Sequence, residues 1–226
     1  MKKKIILTGY RGLIGKKVFN YLKKNKYDVV GLDIKDGINL NDESFVNKIM
    51  KKYRDCDYLI NLHGINDHIK INKKDFSEVM NLSTFDKYFH TNVYSNYLTN
   101  ILFIKNSKKP KGIINFASQY AVQAPKHFIY KRPKNLFYVA SKFSVIGLTK
   151  YLATYYGKKL SINCIVNSGI ETNQPAIFKR KLISHIPKKR MMKVSDLFGI
   201  LEFLLSKKSE YTNGSIINID GGYSSW

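Results

Sequence analysis

The residues best suited to chemistry are a tyrosine and a lysine four positions apart, Tyr138 and Lys142. Apolar residues at helical spacing surround them, and residues at i and i+4 share one helix face, so both side chains can point at one spot. A free tyrosine titrates near pH ~10, and a cation about 4–6 Å away lowers that pKa by favouring the phenolate. The pair therefore suits proton exchange with an alcohol or a carbonyl.

A glycine-rich turn is the second such feature, because it follows a short β-run and opens a helix. Gly9 permits a tight turn, Gly12 lets the backbone approach a pyrophosphate, and Gly15 lets the helix pack close to the strand. The helix N-terminus also offers N–H groups and a positive dipole end to phosphates. The turn predicts a dinucleotide site formed by Thr8, Gly9, Arg11, Gly12, Leu13, Ile14 and Gly15.

The choice between NAD and NADP depends on the end of the second predicted strand. Asp33 lies there, and its carboxylate can accept a hydrogen bond from the ribose 2′-hydroxyl of NAD while repelling a 2′-phosphate. Arg11 and Lys35 are close in sequence and favour NADP instead. The sequence therefore predicts NAD as the cofactor and leaves NADP open.

Strand and helix patterns alternate along the chain and predict an α/β fold, a Rossmann-like doubly wound sheet of about seven parallel strands with helices on both faces. All 226 residues are expected to form one nucleotide-binding domain, with a substrate loop near 120–135 and a lid near 168–193. Strands are predicted at 4–8, 28–33, 57–62, 112–117, 160–166 and 215–219. Helices are predicted at 12–24, 83–105, 136–156 and 196–206, the last capped by Ser195, and one capped by Asn41 or Asp42 runs to about Lys52.

The formal net charge of +23 comes from 39 Lys and Arg residues against 16 Asp and Glu residues. Such a charge suits nucleic acid, an anionic membrane surface or an anionic substrate. The lysines are scattered along the chain, so composition bias is the favoured explanation and a phosphate-rich, nucleotide-bearing substrate is the next. Nucleic acid is thus the less favoured partner.

No apolar run approaches the roughly 20 residues of a membrane span, which predicts a protein without a membrane partner. The apolar run 5–7 is shorter than the roughly 7–15 residues of a signal-peptide core, so a cytoplasmic location is expected. Cys56 and Cys164 are far apart in sequence and predict two buried thiols, with neither a disulfide framework nor a metal site.

These features together resemble the short-chain dehydrogenase/reductase family in its single-domain form, over essentially the whole chain. Asn61 and Gly64 keep the family's Asn-Asn-Ala-Gly pattern, in which His63 here replaces a small residue. Asn39-Leu40 stands where the family usually has Asp-Val near the adenine. The resemblance implies catalytic roles for Asn92, Ser118, Tyr138 and Lys142, and cofactor contacts from Asn39, Leu40, Asn61, Gly64, Tyr138 and Lys142.

The resemblance also implies a mechanism of reversible hydride transfer between nicotinamide and a secondary alcohol or ketone. In it, Tyr138 exchanges a proton with the substrate oxygen, and Ser118 donates a hydrogen bond to that oxygen. Lys142 lowers the pKa of the tyrosine and holds the nicotinamide ribose, while Asn92 anchors a water that leads from Lys142 to solvent.

Two departures from the family pattern affect the substrate side. The family's Pro-Gly after the sixth strand appears as Asn167-Ser168, so the expected nicotinamide contacts come from Gly169, Ile170 and Thr172. Ser118 and Tyr138 lie twenty residues apart, which is longer than usual, and the extra segment 127–134 is basic and aromatic. Together with the stretch Asn173-Gln174-Pro175 and the terminal residues 220–226, this segment resembles a subgroup linked to bacterial surface polysaccharide and flagellin glycan synthesis. The resemblance implies a sugar or sugar-nucleotide substrate.

Two other functions remain open at this point. The glycine spacing is also common in sugar-nucleotide epimerases and dehydratases, and the charge permits a non-catalytic basic module that binds nucleotides or nucleic acid. The resemblance implies a homodimer or homotetramer built on the two long helices. An anionic substrate, such as a sugar nucleotide, could be framed by Lys126, Lys131, Arg132, Lys134, Lys179, Arg180, Lys181 and Arg190.

Overall fold

Six short strands form one parallel sheet in the computed structural model, which describes residues 2–66, 81–130 and 133–225. Their order across the sheet is β2-β1-β3-β4-β5-β6, and every neighbouring pair is parallel. The strands are β1 (Lys4–Thr8), β2 (Asp28–Leu32), β3 (Tyr58–Asn61), β4 (Gly112–Ser118), β5 (Ser161–Asn167) and β6 (Ile216–Ile219). The Rossmann-like α/β prediction is thereby confirmed.

The strand count of about seven is corrected to six in the described residues, and these six occupy the strand ranges predicted from the sequence. After β2 the chain makes a 3₁₀ turn at Ile34–Asp36 and a left-handed turn at Gly37, with φ 75°. It then enters helix α2 (Glu43–Lys52) and continues directly into β3, which pairs with β1. This stretch is too short to add a second helix–strand unit, so β2 forms the edge of the sheet.

Seven α-helices are described in residues 2–66, 81–130 and 133–225, and most follow the predicted ranges. Helix α5 spans the predicted 136–156, and the predicted helix 83–105 is present as α3 and α4 joined by a π-helical turn at His90–Tyr94. Asp42 caps α2 by accepting from Phe45 N at 2.9 Å. The bounds are α1 (Leu13–Lys24), α2 as above, α3 (Leu82–Phe89), α4 (Ser95–Asn106), α5 (Leu136–Tyr156), α6 (Ala176–Ser184) and α7 (Phe198–Leu204).

Two features of the region after β5 differ from the sequence prediction. Helix α6 lies inside 168–193, which was expected to be irregular. The last helix is preceded by a 3₁₀ turn at Val194–Leu197, so α7 begins at Phe198 and Ser195 lies within the turn instead of capping the helix.

The core has two layers because successive residues of a strand point to opposite faces of the sheet. Ile5 and Leu7 of β1 pack with α1 and α7 on one face, whereas Ile6 packs with α2, α4 and α5 on the other. Burial of both faces explains why the central strands are almost continuously apolar, as is typical of parallel sheets. Cys56 and Cys164 are both buried free thiols, as predicted.

The carboxyl ends of the strands lie along one edge of this sheet, and the chain leaves β1 toward β2 on one side and returns to β3 on the other. Ligands of open α/β folds bind at such a switch point. The residues that follow β1, β3, β4 and β5 therefore form the candidate site. Within the described ranges, no helix is long and apolar enough to cross a membrane.

Candidate active site

The glycine turn has the tight geometry that a dinucleotide site requires. Gly9 has a φ of 68°, and a Cβ at this position would lie 2.7 Å from the backbone of His63. A Cβ on Gly15 would lie 2.1 Å from the Gly9 carbonyl oxygen, because the first turn of α1 packs directly on the loop. Gly12 is the N-cap of α1 and has no side chain to occupy the first N–H groups. These residues fit a bound pyrophosphate.

Asp33 lies at the end of β2, and both of its carboxylate oxygens are held by backbone. Oδ2 accepts from Arg11 N and Oδ1 accepts from Lys35 N, each at 3.0 Å. The Arg11 guanidinium forms an ion pair with Asp36 and a hydrogen bond to Tyr10. Arg11, which in sequence favoured NADP, is thus engaged by a second acidic residue beside Asp33.

Tyr138, Ser118 and Lys142 come together as predicted. Tyr138 and Lys142 lie one turn apart on α5, and Lys142 Nζ is 6.0 Å from the centroid of the Tyr138 ring. Ser118 ends β4, so its hydroxyl lies at the sheet edge beside the phenol. Asn135 caps α5 by accepting from Phe137 N at 2.8 Å and Tyr138 N at 3.1 Å, which fixes the helix start near the tyrosine.

The pKa of Tyr138 departs from the sequence prediction. The pair was expected to have a lowered tyrosine pKa, but burial of the phenol raises the pKa of Tyr138 above its ordinary value, and Ser118 only opposes this rise. Burial also lowers the pKa of Lys142 to about 8. Both shifts have one cause, since a low-dielectric site disfavours each charged form. At neutral pH Tyr138 therefore holds its proton.

Asn92 is buried in the π-helical turn, and its side chain is engaged by protein groups. Its Oδ1 accepts from Ile65 N at 2.8 Å, while Nδ2 donates to Ile65 O at 3.2 Å and to Ser141 Oγ at 3.0 Å. Asn92 thus fixes the loop after β3 to α5, directly beneath Lys142. The amide occupies the space beside Gly64, where a Cβ would lie 3.1 Å from Asn92 Oδ1 and 3.4 Å from Lys142 Nζ.

His63 lies at the centre of a part-buried chain of hydrogen-bonded side chains beside the glycine turn. Ser95 Oγ donates to Thr91 O at 2.6 Å, so it accepts from His63 Nε2, which lies 2.7 Å away. His63 Nδ1 then accepts from Thr8 Oγ1 at 2.6 Å. Burial lowers the pKa of His63 to about 3, with a smaller contribution from Lys142. The imidazole is therefore neutral and joins β1 to α4.

Asn61 belongs to a second part of the same buried layer. Its Nδ2 donates to Asn115 Oδ1 at 3.0 Å, and its Oδ1 accepts from Thr99 Oγ1 at 3.1 Å. Asn115 Nδ2 donates in turn to Thr149 Oγ1 at 3.1 Å. These bonds connect β3 and β4 to α4 and α5. The role of Asn61 in this structure is to hold the strand ends that carry the site.

A cavity of about 810 Å³ extends over the glycine turn and the tyrosine. The predicted site residues that line it are Gly9, Gly12, Leu13, Ile14, Gly15, Gly64, Ser118, Tyr138, Lys142, Gly169 and Ile170. Of the described residues, those predicted as site residues that do not line it are Thr8, Arg11, Asp33, Asn39, Leu40, Asn61, Asn92 and Thr172. Leu40 packs in the core, and Asn39 Oδ1 accepts from Asn41 N at 3.0 Å.

The loop after β5 closes one side of the cavity. Thr172, the predicted nicotinamide contact, donates its backbone N–H to Gln174 Oε1 at 2.7 Å, and Gln174 donates to Ile170 O at 2.7 Å. Gln174 therefore lines the cavity where Thr172 does not. Sequence reasoning also missed Gln119 and Ser168, which immediately follow β4 and β5; that position alone could have identified them. Ser168 Oγ donates to Gln119 Oε1 at 2.6 Å.

Aromatic side chains form the other end of the cavity. Tyr130 packs against Phe178 of α6 with ring centroids 5.4 Å apart, and its hydroxyl bonds to that of Tyr120. Burial raises the pKa of Tyr130 to about 12, so it stays neutral. In the part of the chain that the structure describes, no group of His, Cys, Asp and Glu could hold a metal ion.

The basic residues predicted to frame a substrate are separated by the fold. Lys134 is buried in the cavity wall, and Lys181 lines the cavity but is exposed. Lys179 forms an ion pair with Glu171 at 3.6 Å, and Arg190 forms one with Asp196 at 2.6 Å. Both basic groups therefore bind acidic side chains of the region after β5. Lys131 and Arg132 lie outside the described residues.

The glycine turn can hold a dinucleotide, and Tyr138 lines the same cavity and can exchange a proton there. This fold and site therefore define the class of nicotinamide-dependent oxidoreductases. The chain belongs to the short-chain dehydrogenase/reductase family. The family profile described as enoyl-(acyl carrier protein) reductase matches residues 4–224. The protein is therefore an oxidoreductase that acts on CH–OH groups with NAD(P).

The relatives include a dehydrogenase and a reductase that are named for different substrates. A 2-dehydro-3-deoxy-D-gluconate 5-dehydrogenase from Dickeya dadantii is 30% identical over 190 residues, covering 80% of this chain and 70% of that protein. A 3-oxoacyl-[acyl-carrier-protein] reductase from Thermotoga maritima is 27% identical over 87% of this chain and 77% of its own length. The crystal structure of a short-chain dehydrogenase from Leptospira borgpetersenii with bound NAD+ has a TM-score of 0.86 and 27% identity, covering 99% of this chain and 93% of that chain.

Proposed function

We propose that the protein interconverts a secondary alcohol and a ketone on a small sugar-derived substrate, with NAD as its preferred cofactor. The observation that carries this proposal is that Tyr138, Ser118 and Lys142 line one cavity together with the glycine turn. The similarity to 2-dehydro-3-deoxy-D-gluconate 5-dehydrogenase supports a sugar-derived substrate.

The chain's own residues have distinct roles in this reaction. Bound nicotinamide would supply the hydride donor or acceptor. Tyr138, which holds its proton at neutral pH, protonates the substrate oxygen in reduction, and Ser118 donates a hydrogen bond to the same oxygen as charge develops on it. Lys142 would hold the nicotinamide ribose. Asn92 holds the loop after β3 close to Lys142. In this proposal Asn92 also anchors a water that leads from Lys142 to solvent.

The segment 168–193 acts in this proposal as a lid over the substrate. Its two ends are joined at the base, where Glu171 N donates to Met192 O at 2.8 Å. Between them, α6 places Phe178 and Leu182 against the cavity. Exclusion of water by this helix would strengthen the hydrogen bonds around the reacting oxygen.

We further propose that the reaction contributes to surface glycan synthesis, on the basis of the resemblance of segment 127–134. A panel of sugar acids, sugar nucleotides and 3-oxoacyl thioesters tests this substrate class, with NADH formation or consumption followed at 340 nm. Turnover of sugar acids or sugar nucleotides is the expected result. Turnover of the thioesters alone would contradict it.

NADH is expected to bind at least about tenfold more tightly than NADPH, because Asp33 and Asp36 would both repel a 2′-phosphate and Arg11 is paired with Asp36. Fluorescence titration of each reduced cofactor measures the two Kd values. Asp33→Ser should weaken NADH binding and bring the Kd for NADH closer to the Kd for NADPH. Asp55→Asn is the control, because Asp55 is an exposed carboxylate that forms an ion pair with Lys108 at 3.1 Å. Its replacement should leave the ratio of the two Kd values unchanged. Equal affinities in the unaltered protein would contradict the assignment.

A homodimer or homotetramer is proposed from the exposed aromatic residues of α4 and α5. Tyr151 and Tyr155 are 67% and 70% exposed and stack on one another, which leaves a large apolar surface in contact with water. Sedimentation velocity is expected to show a dimer or tetramer that Tyr151→Asp dissociates. Tyr211→Asp alters a fully exposed tyrosine elsewhere and should have no effect. A monomeric unaltered protein would refute the proposal.

A further inference from the structure

Lys134 is a buried lysine that no step of the proposed reaction uses. Its side chain lies in the cavity wall and the residue is only 8% exposed. Its Nζ is 5.0 Å from the centroid of the Tyr138 ring and 5.9 Å from that of Tyr130. Lysine is almost never this buried unless its charge is paired. The ammonium therefore requires an explanation beyond packing.

The charge of Lys134 has no counter-ion among the residues that the structure describes. Its Nζ donates to Asn66 Oδ1 at 2.6 Å, which is a neutral acceptor. Among the residues that the structure describes, no carboxylate forms an ion pair with Lys134. Burial lowers the pKa of Lys134 to about 8, so the side chain is still mostly charged at pH 7. The two aromatic rings stabilise a cation only partly.

Lys134 and Lys142 lie on either side of the proton-exchanging tyrosine, four positions before and four positions after it. Lys142 donates to Phe116 O at 3.3 Å and lies close to Gly64, where the family resemblance places the cofactor. Lys134 instead adjoins Tyr130 and Asn66. The two ammonium groups thus have different surroundings, and only Lys142 has a proposed ligand.

We propose that Lys134 binds a carboxylate of the substrate, so that the enzyme selects hydroxy and oxo acids over the corresponding neutral alcohols. This inference rests on the proposed function and names its substrate class. A carboxylate there would give Lys134 the ion-pair partner that it lacks among the described residues. It would also hold the substrate beside Tyr138.

A carboxylate fits this position better than a phosphate. One buried ammonium with an amide and phenols around it matches a single negative charge. A phosphate dianion is usually held by several cations or by the fork of an arginine. Two further lysines line the cavity. Lys142 is buried, but the proposed reaction assigns it to the nicotinamide ribose. Lys181 is exposed and donates to Phe128 O at 3.2 Å, so neither adds a second buried charge for the same anion.

The test compares matched ligands in the enzyme saturated with NADH. Aldonates of four, five and six carbons are titrated beside their polyols, for example D-gluconate beside D-glucitol, and binding is followed by calorimetry. At least one aldonate is expected to bind about tenfold or more tightly than its polyol. Lys134→Met should weaken that aldonate by about ten- to hundredfold and leave the polyol unchanged, whereas Lys134→Arg should retain part of the preference.

Lys207→Met is the matched control, because it removes the same charge from an exposed residue outside the cavity lining and should preserve the preference. The inference is overturned if no aldonate is preferred, or if Lys134→Met keeps the preference while still binding NADH. Inorganic phosphate that binds through Lys134 more tightly than every aldonate would also overturn it. Failure of the unaltered protein to bind NADH would instead overturn the proposed function, and this inference with it.

Discussion

Replacement of Tyr138 by phenylalanine is expected to lower kcat by about 10²–10⁴-fold, the usual contribution of a positioned general acid or base. In the proposed reaction the phenol exchanges a proton with the substrate oxygen, whereas Ser118 can donate a hydrogen bond but is a much weaker acid. Affinity for NADH should change little, because the glycine turn and Lys142 are untouched. Steady-state kinetics and an NADH titration on the same preparation measure both quantities.

Tyr130→Phe is the matched control for this result. Tyr130 is a partly buried tyrosine in the cavity lining, and its hydroxyl is bonded to that of Tyr120. Removal of this hydroxyl keeps the ring beside Lys134 and should preserve most of kcat. A Tyr138→Phe protein that retained most of its turnover would refute the proposed proton transfer.

The second large effect is expected from Gly15→Ala. The new Cβ would lie 2.1 Å from the Gly9 carbonyl oxygen and 2.8 Å from Tyr10 Cα, so backbone atoms must move. Overpacking of this kind typically costs about 1–3 kcal/mol of the free energy of unfolding. The displacement also separates the turn from the N-terminus of α1, which should weaken NADH binding strongly. Urea unfolding and NADH titration measure the two losses.

Gly199→Ala provides the comparison in helix α7. Among the described residues, no heavy atom outside the local helix lies within 4 Å of the position that its Cβ would take. Alanine there should therefore stabilise the protein by up to about 1 kcal/mol through its higher helix propensity. If Gly15→Ala behaved like Gly199→Ala in stability and NADH affinity, the close packing of α1 on the turn would be disproved.

The features predicted well from sequence depend on interactions between near neighbours. Helix α5 is confirmed over the predicted 136–156 because its apolar spacing and the cap at Asn135 are local signals. The glycine turn is confirmed for the same reason, since the tight conformation at Gly9 and the contact at Gly15 arise within a few residues. The Asp42 cap of α2 likewise needs only the next helical turn.

The features predicted poorly depend on partners that are distant in sequence. About seven strands were expected and six are described, all of them in predicted ranges. Their order across the sheet could not be read from those ranges, because β3 pairs directly with β1 through residues about fifty positions apart. Helix α6 escaped prediction because much of its stability comes from packing over the cavity, where Leu182 is buried. The helix has only nine residues, and helices of that length are marginal without tertiary packing.

The sequence by itself determined the residue types of the candidate site, the glycine turn and the order of the elements, because spacing along a helix or a turn fixes these locally. Tertiary structure alone decided that Lys134, in addition to Lys142, is enclosed beside Tyr138. It also reversed the expected direction of the tyrosine pKa. Both outcomes depend on desolvation of the charged groups. Desolvation is set by residues that β4, α5 and the loop before α5 bring together, so it cannot be read from the sequence around any one residue.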